Sequence, residues 1–158
     1  MEAVLKIVAR ENLLLATGHV HPEEVIAVTK RGRELGVKNI LVTHALTNVP
    51  GLTMAQAKQV ADMGAVIEVC YLQFQAGPNA PLAFLTHWTQ IGAKHVAQAV
   101  KEIGAKSIVV SSDLGQSANI THPDGLEVAI ASMKREGISD ADIDTMMRKN
   151  PARLLGLI

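Results

Sequence analysis

Short aliphatic segments recur along the chain, each after a segment in which charged and apolar residues alternate at helical spacing. The aliphatic segments lack the period of two that marks a strand exposed on one face, as expected for strands buried on both faces of a parallel sheet. Gly36, Gly64 and Gly104 precede three of them and fit the left-handed position that closes a helix. The pattern predicts strands at 13–17, 39–43, 66–72 and 107–111.

Helix-start signals stand before the intervening segments. Pro22 occupies a first helical position and is followed by two glutamates, and Thr53 begins a capping box. The alternation of helices and strands predicts parallel strands joined by right-handed crossovers, in a single α/β domain over residues 1–158. The predicted helices are 2–10, 22–35, 53–63, 91–103 and 123–136, with a terminal helix over 140–157 that Asn150 and Pro151 interrupt and restart.

The connection between the third strand and the helix after it is long for a loop between a strand and a helix. It covers residues 73–90, and all four aromatic residues of the chain lie in it or beside it: Tyr71, Phe74, Phe84 and Trp88. Three interpretations stay open, namely a lid over a substrate, an apolar surface covered by a neighbouring subunit, and ordinary loop packing.

Composition narrows the class of protein. The chain is 48% hydrophobic and 19% charged, so we expect a folded domain. Fifteen basic residues balance fifteen acidic ones, which leaves no net field to attract nucleic acid or an anionic membrane. Cys70 is the single cysteine, no apolar run approaches a membrane span, and the first residues lack a signal-peptide pattern. We therefore expect a soluble cytoplasmic protein.

Three strand ends carry side chains that bind metal ions. His19 follows the first strand, His44 the second and Asp113 the fourth. Parallel strands direct their carboxyl ends to one edge of the sheet, where α/β proteins gather their chemistry. Two imidazoles and a carboxylate could hold a zinc-like divalent ion with positions left open for water, and Asp113 could transfer the proton of that water.

Each candidate also has a simpler interpretation. His19 fits a solvent-facing loop residue, and Asp113 fits a turn cap. His44 is harder to dismiss, because an apolar strand leads directly into it. The other histidines have interpretations of their own. His21 fits a helix-entry residue, and His95 fits an exposed helix face. His122 fits a helix N-cap or a substrate contact, and the role of His87, in the aromatic loop, stays open.

In this order and spacing the strand ends resemble the carboxyl-terminal half of a metal-dependent hydrolase of the amidohydrolase superfamily, over nearly the whole chain. The resemblance implies a four-stranded half of a TIM-type (β/α)8 barrel. The motifs that carry it are TGH at 17–19, VTHA at 42–45, EVCYL at 68–72, SSDLGQ at 111–116 and NPARLLGL at 150–157.

The resemblance implies that His19 and His44 are metal ligands and that Asp113 is a ligand or the proton shuttle. The metal would be zinc, with manganese or iron as alternatives, and Gln116 would face a small-molecule substrate. Such enzymes hydrolyse amides, lactones, esters or phosphoesters through metal-activated water. The family's first-strand His-x-His pair and its fourth-strand ligand are absent, and HVH at 19–21 lies on a different strand.

A half barrel leaves two strand edges and an apolar face in water. We therefore expect either a homo-oligomer or a missing amino-terminal half barrel. Two further hypotheses stay open: a self-associating half barrel without catalytic activity, and a doubly wound domain of the flavodoxin or receiver kind with Asp113 as its acceptor or Mg²⁺ ligand. The chain has no glycine-rich phosphate loop.

Overall fold

A single four-stranded parallel sheet, flanked by helices, forms the structure, a computed structural model that describes residues 1–158. The strands are β1 (Leu14–Ala16), β2 (Asn39–Val42), β3 (Val66–Cys70) and β4 (Ile108–Ser111). The helices are α1 (Glu2–Arg10), α2 (Pro22–Glu34), α3 (Met54–Asp62), α4 (Ala93–Glu102), α5 (His122–Arg135), α6 (Asp140–Asp144) and α7 (Asn150–Leu154). None of these helices is both long and apolar enough to cross a membrane.

The strands are adjacent in the order in which they occur along the chain, β1-β2-β3-β4. Leu15 pairs with Ile40, and Ile67 of β3 pairs with Ile108. The predicted α/β class and parallel strands are confirmed. A flavodoxin-like or receiver-like domain would need a strand order that reverses within the sheet, and this sheet has no such point.

One face of the sheet carries the main hydrophobic core. Alternate residues of β2, β3 and β4 are fully buried there, among them Ile40, Ile67 and Ile108. Helix residues including Val96 and Met133 belong to the same cluster and are also fully buried. Tyr71 is the one aromatic residue among the buried members of this cluster, as the distribution of aromatic residues indicates.

The opposite face of the sheet has a much smaller cluster. Val66 and Val109 pack there against Leu154 of α7, with Leu14 and Leu41 partly buried beside them. Ala16 at the end of β1 lies on the exposed surface. This face is therefore only partly covered by the chain itself.

The third strand and the terminal helix differ from their predicted forms. β3 ends at Cys70 because the chain turns into a 3₁₀ helix over Tyr71–Gln75. The terminal helix is not interrupted at Asn150 and Pro151; a π turn over Thr145–Lys149 joins α6 directly to α7. Pro151 is the second residue of α7, directly after the π turn, and it has no N–H group to donate to the preceding turn.

Candidate functional site

A cleft of about 590 Å³ lies at the carboxyl-terminal end of the sheet. It is lined by residues at and after the carboxyl ends of the four strands and by residues of the long loop after β3. The residues on which the following description depends are His19, His44, Thr47, Glu68, Gln73, Ser111, Asp113 and Gln116. The strand-end residues predicted to meet do line one cavity.

His19 and His44 are in direct contact. Their Nε2 atoms are 2.8 Å apart, and the rings stack with centroids 4.7 Å apart and an angle of 30° between their planes. The contact arises because β1 and β2 are neighbours, with Ala16 opposite Leu41 in the ladder. The two ring nitrogens can share a proton, one donating and one accepting, or act as adjacent donors to a cation.

Glu68 holds the backbone at His44. Its carboxylate accepts a hydrogen bond of 3.1 Å from the His44 amide and one of 2.9 Å from the Ser111 hydroxyl. The side chain thus links the ends of β2, β3 and β4. Sequence reasoning missed Glu68, although a charged residue inside the apolar segment VIEVC is a signal that a specific partner must be present.

Asp113 lies in the same cleft, close enough to both histidines for their charges to influence it. Its pKa is raised because the surrounding protein removes part of the carboxyl's hydration; the Glu68 carboxylate also raises it, whereas His44, His19 and His122 oppose the shift. The side chain is nevertheless exposed to solvent. Asp113 can therefore change its protonation state in contact with water.

Both His44 and Asp113 have a backbone φ in the left-handed region, at +28° and +53°. Non-glycine residues seldom adopt this region, although histidine and aspartate are enriched among those that do. A left-handed aspartate is compatible with a turn, so the turn-cap interpretation of Asp113 stays open. Strained residues of this kind concentrate at functional sites.

Three buried polar atoms in the cleft residues have no hydrogen-bond partner in the protein: His44 Nδ1, Thr47 Oγ1 and Gln73 Oε1. Buried polar groups in native proteins are nearly always paired. Three of the seven such atoms in the protein therefore lie at this cleft, which fits a place that meets polar or charged groups.

Of the two residues predicted to contact substrate, Gln116 lines the cleft and His122 does not. Gln116 lines the cleft and its side-chain oxygen accepts a hydrogen bond from Asn119. His122 stands beside the cleft, with its Nδ1 atom 2.7 Å from the Ser112 hydroxyl. Thr121, not His122, is the N-cap of α5, because the Thr121 hydroxyl accepts the Asp124 amide.

The remaining histidines lie outside the cleft. His21 is the N-cap of α2, as predicted. His87 is an exposed loop residue. His95 was predicted to lie on an exposed helix face; instead it is half-buried in the first turn of α4, where its Nδ1 atom accepts the Gly92 amide. Burial lowers the pKa of His95.

The aromatic loop covers one side of the cleft. Phe84 and Trp88 line it and meet edge to face, with centroids 5.6 Å apart. Leu85 between them is fully buried and anchors the loop to the core. Tyr71 and Phe74 instead contact each other near the end of β3. The loop thus has the position of a lid, although Phe84 remains 49% exposed.

The donors in the cleft fit a zinc-like ion in kind, but only two of them converge. Two nitrogens bound to one tetrahedral zinc ion lie roughly 3.3 Å apart, so the His19–His44 pair is close to the required separation. No group of three histidine, cysteine, aspartate or glutamate side chains is arranged to hold a metal ion. Burial raises the pKa of the nearby Cys70 thiol, so this thiol is not a ready ligand. A third donor, Asp113, would have to turn towards the pair.

One protein family matches part of the chain. Its model, described as a family of unknown function (DUF6282), matches residues 1–68, which is less than half of the chain. The matched part runs from α1 into β3 and includes His19, His44 and Glu68 but not Asp113. No curated protein and no solved structure matches the chain.

Proposed function

We propose that the cleft is a divalent-metal site of the hydrolase type, with His19 and His44 as two of its ligands. The observation that carries the proposal is the 2.8 Å approach of the two Nε2 atoms at the carboxyl ends of adjacent strands. Imidazole nitrogens are common ligands of zinc, and manganese or iron are alternatives. Asp113, which lies in the field of both histidines, is the proposed third ligand or the proton acceptor.

The chemistry expected of this site is hydrolysis. A bound divalent ion lowers the pKa of a coordinated water and polarises a carbonyl or phosphoryl oxygen. Asp113 is placed to accept and return a proton, since its carboxyl lies in the cleft with the histidine pair and is exposed to solvent. Glu68 positions His44 through the backbone amide, and Gln116 in the cleft wall is the proposed substrate contact.

The class of substrate follows from the walls of the cleft. Phe84 and Trp88 add an apolar surface to a cleft that is also lined by polar strand-end residues. A small molecule with an apolar part and an amide, lactone, ester or phosphoester group would match both sides. A resemblance to the amidohydrolase superfamily is part of this proposal and rests on the strand-end motifs. The buried free thiol of Cys70 supports a cytoplasmic setting.

The sheet itself is proposed to be half of a TIM-type barrel. Its sequential parallel order is the order of barrel strands. Both outer strands, β1 and β4, have an unpaired edge, and Ala16 leaves the second face open near β1. We propose that a second copy of the chain covers these edges, so that β4 of one copy pairs with β1 of the other. A non-catalytic self-associating half barrel is the second candidate, favoured by the lack of a complete three-donor cluster.

Metal content separates the two candidates. Purified protein, stripped with a chelator and reconstituted with Zn²⁺, Mn²⁺ or Fe²⁺, is expected to retain about one ion per chain by elemental analysis. His44→Ala should lose the ion, because the pair then has one nitrogen. His95→Ala is the matched control, since His95 is also half-buried but lies outside the cleft.

Turnover then tests the catalytic part. Metal-loaded protein is expected to hydrolyse at least one of a panel of aryl esters, lactones and phosphoesters. Asp113→Asn should abolish this reaction, whether the variant binds the ion as tightly as the wild type or more weakly. Absence of bound metal in the wild type after reconstitution would contradict the site. Bound metal without any turnover would favour the non-catalytic candidate.

A further inference from the structure

A second cavity, of about 720 Å³, opens at the other end of the sheet from the candidate metal cleft. It is formed by the start of β3, the residues just before β4 and the terminal helical stretch. Its floor includes Val66 and the Ser107 residue at the end of a 3₁₀ turn, and Ile158 lies against its edge. Its volume is in the range of small-molecule sites.

The side chains around this cavity are strongly basic. Four cations line it: Lys106, Arg148, Lys149 and Arg153. The whole chain has equal numbers of basic and acidic residues, so this is a local concentration of charge. A cluster of like charges around a low-dielectric cavity raises the local concentration of anions.

Among side-chain carboxylates, only Asp144 pairs with these cations. Asp144 forms ion pairs with Arg148 at 2.5 Å and with Lys149 at 3.0 Å. Lys106 has no acidic partner, and Arg153 contacts only the Lys106 carbonyl and the Asn150 side-chain oxygen, at 3.3 and 3.5 Å. Two cations of the cavity are therefore free to bind an external anion.

A fifth cation increases the imbalance. The Arg33 guanidinium donates to the carbonyls of Gly64 and Lys38, and Gly64 lines the cavity. Burial lowers the pKa of Arg33, and the neighbouring charge of Arg153 lowers it further. Two guanidiniums held near each other without a carboxylate between them repel, and a bound anion would relieve that repulsion.

We propose that this cavity binds a phosphorylated small molecule, with Lys106 and Arg153 contacting the phosphate group. Arginine matches phosphate oxygens with paired donors, and lysine adds a point charge. The Ser107 hydroxyl and the apolar floor at Val66 are available to the rest of the ligand. The site is separate from the histidine cleft, so this proposal does not depend on the metal site.

Isothermal titration with inorganic pyrophosphate at constant ionic strength tests the proposal, with inorganic phosphate as a second probe. The wild type is expected to show saturable binding. Lys106→Gln should weaken it about tenfold, because one charge-assisted contact is lost. Lys106 makes no side-chain contact that the fold requires, so this variant should fold normally. Lys101→Gln, an exposed lysine on α4, is the matched control and should bind like the wild type.

Asp144→Asn provides an independent arm of the same experiment. Removing this carboxylate leaves Arg148 and Lys149 without their acidic partner, so pyrophosphate should bind several-fold more tightly. Absence of saturable binding in the wild type would overturn the proposal. Equal weakening in Lys106→Gln and Lys101→Gln would also overturn it, since binding would then reflect overall charge and not this cavity.

Discussion

His44 and Asp113 show that the candidate site is set at the level of single residues. Each holds a left-handed backbone conformation that costs of order 1–3 kcal/mol for a residue with a side chain. At His44 the Glu68 carboxylate compensates part of this cost by accepting a hydrogen bond from the His44 backbone amide. The conformation turns the chain sharply at the strand end and brings the His44 ring against His19.

Asn150 is the residue whose role differs most from its predicted one. It was expected to interrupt the terminal helix, yet it is 3% exposed and its side-chain amide donates to the carbonyls of Ala105 and Ile108, at 2.8 and 2.6 Å. The side chain thus ties the terminal helical stretch to the start of β4.

Asn150→Ala is expected to destabilise the protein by about 2–3 kcal/mol, because two buried carbonyls lose their donor. Urea unfolding followed by circular dichroism measures the change. Asn79→Ala, at an exposed loop position, serves as the control and should leave the midpoint unchanged. Equal midpoints for the two variants would show that the buried hydrogen bonds contribute nothing net.

At the scale of elements, the sequence predicted helix ends correctly where hydrogen bonds between neighbouring residues stabilise them. The capping box of α3 is present as predicted, with the Thr53 hydroxyl accepting the Gln56 amide and the Gln56 side chain accepting the Thr53 amide. The 3₁₀ turns of the aromatic loop and the π turn before α7 were not predicted. Leu85 and Met146, which lie in these turns, are fully buried in the core, a tertiary contact that local patterns do not encode.

The start of α5 depends on one close approach between elements. Gly125 packs against Tyr71 and Leu114, so a Cβ atom there would lie 3.0 Å from the Tyr71 ring and would overlap the Leu114 side chain. Both neighbours are buried, which leaves them little room to move.

Gly125→Ala is therefore expected to lower the free energy of unfolding by about 1–3 kcal/mol, although alanine favours helix formation. Thermal unfolding of this variant is compared with that of Gly115→Ala. A Cβ atom at Gly115 would meet no atom within 4 Å, and its φ is not in the left-handed region. A Gly125→Ala variant as stable as the wild type would mean that the start of α5 shifts freely away from Tyr71 and Leu114.

The whole molecule is an asymmetric layer structure. Its main core covers one face of the sheet, while Leu154 of α7 packs with Val66 and Val109 in the small cluster on the other face. Both outer strands have one unpaired edge. An open parallel edge and a partly uncovered apolar face are features that proteins normally cover with another element or subunit.

Ala16→Asp tests the proposed pairing of two copies. The wild type is expected to elute as a dimer of the 16.8 kDa chain in size-exclusion chromatography with light scattering. A carboxylate at Ala16, on the open side of β1, should give a monomer with unchanged secondary structure, because the charge would be buried on association. Ala131→Asp, at an exposed position of α5, should remain a dimer. A wild-type monomer at micromolar concentration would contradict the proposed assembly.

The sequence by itself determined the α/β class, the four strands, the main helices and the strand-end positions of His19, His44 and Asp113. These features depend on local signals: aliphatic runs, caps and glycines at helix ends. Only the tertiary structure decided that His19 touches His44, that Glu68 supports the His44 backbone, and that Asp113 remains apart from the pair. Those facts depend on strand order, register and backbone strain at the sheet edge, and they join residues more than twenty positions apart along the chain, which local patterns do not encode.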